Sequence, residues 1–540
     1  MSINHQSDLF DLPNEILLII FNKLHMTDVL YSLVGLTEWL DQLVFDPLYI
    51  RNLNMTSMTM KSFHDRIYSI DSRVLDRICK SILPQISHKI SEIIVEQYSM
   101  NRVLNVINYP ELYSLKLVDF SEEVLLNELT NNTIFRQLLH QQITCLTIDI
   151  KDQPTEPSSE ALWLILTSVV SLCKQLKKLS IGQFDYRTTI CTFDFSSTNF
   201  KSSILTQLII NLESFNDCLY LLDGRFRCLS TLIVNIDIIS STSETIDNTE
   251  TLSKLKHFSL TSYPHTFLYD DVIIPLLRRM INLEELILDL SIIRSNKNYV
   301  DGIQLYDDIL IHMPQMNKFT FNLYTNVDKN NVGINFSSKK DVQRSFRRKE
   351  YYGPVASHIE VFNSLNERAC HNYSLPFEFQ SRCHIYSLPY HFKTYHFLTN
   401  SFQGGIFTNV QSLVMGDCCS FEHNFFQIIS QSFPSLKMLH IMNKKPQKDK
   451  QKSLPLIQFP YLIYLYLRGA HADYAEQFLV DKFCHVPCLL SLNIDYESLI
   501  LITNNFTNDA TRLTCSKFTS LRTNESFVPP KNFHQYFPLL

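Results

Sequence analysis

Hydrophobic residues along most of this chain fall into one six-residue pattern, apolar-x-x-apolar-x-apolar. It is spelled LYSLKL from Leu112, ITCLTI from Ile143, LKKLSI from Leu176, LTQLII from Leu205, LSTLIV from Leu229, LKHFSL from Leu255, LEELIL from Leu283 and MNKFTF from Met316. After a gap it returns as VQSLVM from Val410, LKMLHI from Leu436, LIYLYL from Leu462 and LLSLNI from Leu489, and ISEIIV from Ile90 is an earlier copy. Successive starts from Leu112 lie 31, 33, 29, 24, 26, 28 and 33 residues apart, then 94, then 26, 26 and 27. Alternation at the end of each unit predicts a short strand. The fourth and sixth positions, such as Leu286 and Leu288, should face a core. Glu285, Ile287 and Asp289 should then line the open face. Between strands the chain reads as helix, as in DDVIIPLLRRMI from Asp270 and HADYAEQFLVDKFC from His471, acidic near the start and basic near the end.

The N-terminal pattern is different. Asp11 is placed to cap a helix with Pro13 and Glu15 in its first turn, running to about Leu24. Six consecutive apolar residues, Ile16 to Phe21, cover every side of that helix at 100° per residue, so packing on one face cannot bury them all. Thr27 and Asp28 open a second helix carrying Val29, Leu30, Leu33 and Val34. A third, with Trp39, Leu40, Leu43 and Val44, should end near Asp46 and Pro47. Three helices in about 40 residues lie near the lower size limit for folding alone, so the surplus apolar surface points to a partner or to the adjoining repeats.

A strand and a helix recurring at this period resemble the leucine-rich repeat, over roughly residues 90 to 494. The resemblance implies an α/β solenoid, with a parallel sheet on the concave side and helices on the convex side. In that family an Asn or Cys after the strand satisfies backbone groups of the turn, and Cys418 is the residue expected to do so here. The polar run from Asn326 to Gly353 should leave the array as an insertion, with HIYSLPYHF from His384 a candidate strand region beyond it. The expected domains are an N-terminal module at 8–54, a first repeat block at 55–325, the insertion at 326–382, and a second block with a C-terminal cap at 383–540.

The N-terminal stretch, LPNEILLIIFNKL followed by Asp28, Leu30, Trp39 and Asp46-Pro47, resembles the F-box, the helical module that joins substrate receptors to cullin-RING ubiquitin ligases through a Skp adaptor. Leu12, Pro13, Ile16, Ile20, Phe21, Leu24, Leu30 and Trp39 fall on that family's adaptor-facing or packing positions. Gly35, Leu36, Thr37 and Glu38 depart from it, standing where many F-boxes have a valine, a cysteine and a basic pair. The paired resemblances imply a non-catalytic substrate receptor of an SCF-type ligase in the ubiquitin-conjugation pathway, with a Skp adaptor and a protein target as partners. The alternative is a leucine-rich-repeat binding or inhibitory protein whose decayed F-box caps the array.

Composition narrows the chemistry. The net charge of -6 is spread along the chain, which does not suggest nucleic acid as a partner. The longest apolar stretch, Ala161 to Cys173, is too short to span a bilayer and reads as a buried helix. The N-terminus has no basic region followed by an apolar core, and an odd 13 cysteines fit reduced thiols, so a cytoplasmic or nuclear protein without membrane attachment is expected. Only 10 of 540 residues are glycine, against a usual share of about 7%. Phosphate loops and nucleophile elbows need glycine, and no such motif is found; no catalytic residue and no cofactor is assigned. Cys370-His371, Cys383-His384 and Cys484-His485 with Cys488 lack the close Cys-x-x-Cys pairing of zinc sites, so no metal is assigned. The expected target-binding positions are those facing the open side near the C-terminal end: Met438, His440, Tyr464, Tyr466 and Arg468, aromatic and basic types enriched at binding hot spots.

Overall fold

The computed structural model describes residues 12–60, 66–105, 108–151, 159–182, 201–240, 251–295, 297–328, 337–346, 354–361, 379–448, 455–525 and 527–540. Asp11, Cys370 and His371 lie outside the described residues. The class is mixed α/β, with a twelve-stranded, mostly parallel sheet and a separate six-stranded sheet. The chain divides into two compact units, one of residues 1–59, 67–290 and 308–318, the other of 60–66, 291–307 and 319–540.

Every apolar unit named above begins a strand at its third residue. In the first unit these strands start at Glu92, Ser114, Cys145, Lys178, Gln207, Thr231, His257, Glu285 and Lys318. The register is in phase with the repeat: Glu92 pairs with Ser114, Ser114 with Cys145, Cys145 with Lys178, Lys178 with Gln207, Gln207 with Thr231 and Thr231 with His257, all parallel. One backbone device repeats with it. The carbonyl of each unit's second residue accepts two N–H groups of the next unit, as Tyr113 does from Thr144 and Cys145 at 2.9 and 3.1 Å. Thr144, Lys177, Thr206, Ser230, Lys256 and Glu284 each do the same in turn. A carbonyl has two lone pairs, so this arrangement satisfies the strand entrances with no side chain required.

The inward positions are buried: Leu286 and Leu288 are 0% exposed. Glu285 and Ile287 are half-buried on the other face. Asp289 departs from the expectation of an open position and is buried, because it lies deep within the ten-residue strand Glu285–Arg294, whose following residues are buried as well. The apolar stretch from Ala161 forms part of the helix Ser159–Leu172, which buries Leu162, Trp163, Ile165, Leu166 and Val169. Among the described residues no helix is long and apolar enough to cross a membrane.

In the second unit, strands starting at Thr394, Ser412, Met438, Tyr464, Ser491 and Ser520 form the six-stranded parallel sheet. The carbonyls of Lys393, Gln411, Lys437, Ile463 and Leu490 repeat the two-acceptor device. The inward residues Leu413, Leu439, Leu465 and Leu492 share one core with Phe426, Ile429, Tyr474, Phe478 and Leu499 from the intervening helices.

Three further strands of this kind lie outside the copies set out above. Asn52–Met55 continues an Ile50-x-x-Leu53-x-Met55 pattern, Thr394–Leu398 a Phe392-x-x-Tyr395-x-Phe397 pattern, and Ser520–Thr523 ends its unit on a polar Thr523. Within the span expected as an insertion, the described residues include a helix at Lys339–Phe346 and a strand at Val355–Val361. That strand pairs antiparallel with Phe379–Ser387, which in turn pairs antiparallel with Lys318–Asp328.

Candidate protein-docking surfaces

The N-terminal segment forms α1 (Asn14–Phe21), α2 (Met26–Leu33), α3 (Glu38–Val44) and α4 (Pro47–Ile50). Pro13 occupies the α1 N-cap position, and α1 stops at Phe21 rather than near Leu24. It buries only Leu17 and Phe21, a pair four residues apart on one stripe, with Phe21 edge-on to Tyr49 at 6.1 Å. Burial pushes the Tyr49 phenol up to about 12. The other faces of α1 and the turn after it do not find cover. Ile16 is 42% exposed, Ile19 56% and Leu24 55%. Leu12 and Ile20 are half-buried, and Pro13 is exposed.

The departure at Gly35 to Glu38 has a structural account. Gly35 turns the chain after α2 at φ +85°, a region costly for other residues, and its N–H donates to the Asp41 carboxylate at 2.7 Å. Thr37 caps α3 by accepting from the Leu40 N–H at 3.2 Å. Asp46 and Pro47 do more than end α3, since the Asp46 carboxylate accepts from the Leu48 N–H at 2.8 Å and opens α4 with Pro47 in its first turn. These turns leave Leu36, Trp39 and Leu48 facing out, with Leu48 92% exposed.

Of the eight expected adaptor positions, then, Pro13, Ile16, Leu24 and Trp39 are exposed and Leu12 and Ile20 half-buried. Phe21 and Leu30 are buried and hold the helices together. Sequence reading missed Ile19, Leu36 and Leu48. Leu48 carried a legible signal, a leucine directly after the capping Asp46-Pro47 pair. The same helices also pack on the start of the first sheet. The Arg77 guanidinium donates to the Val34 carbonyl at 2.7 Å and lies over the Tyr31 ring, the Lys89 ammonium donates to the Phe45 carbonyl at 3.2 Å, and Met26 sulfur accepts from the Asn54 N–H at 3.3 Å.

The second surface is on the six-stranded sheet. Parallel register sets Met438 beside Tyr464 and Ser491, and His440 beside Tyr466 and Asn493, in two rows of outward positions. The His440 ring stacks on Tyr466 at 4.9 Å and 13°, and Tyr464 lies 5.7 Å away. Tyr464 differs from the expected exposed position. It is buried between its strand neighbours, with its hydroxyl accepting from the Asn493 amide at 3.4 Å. Met438, His440 and Tyr466 are half-buried, and Arg468 is exposed past the strand end. The structure therefore brings Met438, His440 and Tyr466 together on one sheet face supported by Tyr464, with Arg468 beyond the end of the strand.

The turn role expected of Cys418 falls to its neighbours. Cys418 is exposed, while Asp417 accepts the N–H groups of Asn400 and Cys419 at 2.7 and 2.9 Å. One repeat later the buried Asn443 amide donates to the Cys419 carbonyl at 2.6 Å and accepts from the Lys445 N–H. Asp417, Cys418 and Cys419 are the one group of three potential metal ligands among the described residues. The Asp417 carboxylate is already engaged, and partial desolvation with that carboxylate nearby pushes the Cys418 thiol up to about 12. Cys383 and Cys484 are buried, which raises their thiols further, and Cys488 is exposed. The His384 Nε2–H donates to Asn322 Oδ1 at 2.7 Å, and His485 Nδ1 sits 3.4 Å from Asp481.

The fold and its surfaces define a mixed α/β protein with repeated parallel strands and an N-terminal helical segment rich in exposed apolar residues. No protein-family model matches the chain, and no curated protein matches it.

Proposed function

We propose that this chain is a non-catalytic substrate receptor of a cullin-RING, SCF-type ubiquitin ligase. In this reading α1 to α4 are an F-box that docks on a Skp adaptor, and the repeated strands are a degenerate leucine-rich-repeat solenoid that holds a protein target. The observation that carries it is the exposed set Ile16, Ile19, Leu24, Leu36, Trp39 and Leu48, gathered on four short helices and the turns between them. Apolar side chains left in water at this density cost stability and persist where a partner covers them. Such a receptor acts by position, raising the effective concentration of a target lysine at the loaded conjugating enzyme. Met438, His440, Tyr466 and Arg468 offer the target a stacked aromatic and basic surface. A cytoplasmic or nuclear location follows from the partners of this reading.

The contacts of Arg77, Lys89 and Asn54 with the helices favour a second role beside the first, closing the edge of the sheet at Asn52–Met55. Copurification with a Skp adaptor separates docking from capping alone. Phe21 is unsuitable for the test because a charge there would unfold the segment. A variant carrying Ile19→Asp and Leu48→Asp should stay folded and lose the adaptor; equal recovery with wild type would leave capping as the role of the helices.

A further inference from the structure

The second unit contains a cavity of about 330 Å³ that the receptor reading does not use. One wall is the antiparallel trio of strands. Alternate residues Arg382, His384 and Tyr386 share a face there with their register partners Asn326, Tyr324 and Asn322. The opposite wall is the strand Thr394–Leu398 with the loop after it, which brings Tyr395, Phe397 and Phe402, and the helix Lys339–Phe346 adds Lys339 and Gln343.

The groups in this cavity are tightly arranged. The His384 ring stacks on Tyr324 at 3.8 Å and 14°, and Tyr386 and Tyr395 lie 4.7 and 5.2 Å from it. Arg382 is 7% exposed; its Nε donates to Asn326 Oδ1 at 2.9 Å and its guanidinium lies 4.6 Å from the centre of the Phe397 ring. Phe397 reaches that place at a cost. Its φ is +55°, uncommon for a bulky residue, and the pairing of its strand slips between Tyr395 and Leu398. A bulge of this kind re-aims a side chain, here toward Arg382. The loop behind it uses Gly404 and Gly405, the one adjacent glycine pair in a chain of ten glycines, with φ of +96° and +150°.

Among the described residues the lining holds Arg382, Lys339 and His384 and no Asp or Glu. Arginine presents a planar fork to phosphate or carboxylate, and a second cation favours a dianion. The aromatic rings offer flat faces to a ligand ring. The volume lies at the low end of the roughly 300–1,000 Å³ of ligand pockets, enough for one ring and one charged group. We propose that this cavity binds an aryl phosphate, either as a free small molecule or as a phosphotyrosine side chain. The site stands independently of adaptor docking.

Calorimetric titration of the full chain tests it with four probes: phenyl phosphate, phenol, inorganic phosphate and a phosphotyrosine peptide. Phenyl phosphate should bind at least about tenfold tighter than phenol or inorganic phosphate, and Arg382→Gln should weaken it by about tenfold or more with an unchanged circular dichroism spectrum. Binding of the peptide as tightly as phenyl phosphate assigns the site to a protein side chain, and binding of phenyl phosphate alone assigns it to a small molecule. Should Arg382→Gln fail to fold, the exposed Lys339→Gln serves, with a loss of about threefold expected. Phenyl phosphate binding no tighter than inorganic phosphate, or unchanged affinity in Arg382→Gln or Lys339→Gln, would overturn the proposal.

Discussion

The four N-terminal helices and the repeated strands are both written in dense apolar sequence, yet they spend it differently. Leu286 and Leu288 vanish into a core because a strand alternates and every alternate residue meets the same layer. Ile16 and Ile19 remain in water because the eight-residue α1 meets its neighbours along one stripe, and six consecutive apolar residues cannot all face it. The difference teaches where to look for function. In the strands, hydrophobicity explains the fold; in the helices, the fold leaves hydrophobicity over.

That contrast can be broken by substitution. The largest effect belongs to the strands: Leu288→Ala should cost about 3 kcal/mol in urea unfolding, the range for a leucine removed from a closed core. A loss below about 1 kcal/mol would mean that the strand layer is loosely packed. Next is Asp217, whose burial raises its carboxyl to about 6 although Ser214 donates to it from both its N–H and its hydroxyl. An unfolded aspartate titrates near 4, so the native state holds the proton between the two values. Stability from this group is complete below pH 4, falls as the pH rises to 6, and is level above. Asp217→Asn should remove about 2 kcal/mol of that pH dependence when unfolding is compared at pH 4 and pH 7. An unchanged slope would move the titration elsewhere.

Smaller effects belong to the helices. Thr37→Ala deletes the α3 cap and should cost about 1 kcal/mol, read by the same unfolding curve. Leu48→Ser and Ile19→Ser should change stability by less than about 0.5 kcal/mol, because neither side chain is enclosed. A large loss in either would place that residue in the core and remove it from the docking surface.

Much of the fold was legible because it repeats. A pattern that fixes the third residue of each unit as a strand start also fixes register, and the paired carbonyl acceptors follow without help from side chains. What escaped lay where the pattern changes its letters. Phe392 and Tyr395 stand in for aliphatic residues, and Thr523 closes a unit that should end apolar. Turn chemistry was harder still: Asp417 and Asn443 do the work expected of Cys418, which only a count along the real turn shows. On the docking face, periodicity gave the excess but not its direction, since Phe21 and Ile19 read alike until Tyr49 selects one of them. The aryl-phosphate cavity had no signal in the chain, because its walls come from strands far apart in sequence and from one residue in a left-handed conformation.

The uncovered apolar face of α1 to α4 is the docking surface in this reading. It is tested most directly by the binding isotherm of the purified full chain with a purified Skp adaptor, for wild type, for Ile16→Ser with Ile19→Ser and Leu48→Ser, and for Tyr466→Ala. Wild type and Tyr466→Ala should bind saturably with the same affinity, and the triple variant should lose at least about a hundredfold at unchanged unfolding stability. Equal affinity of wild type and the triple variant, or no binding by a folded wild-type chain, would contradict it.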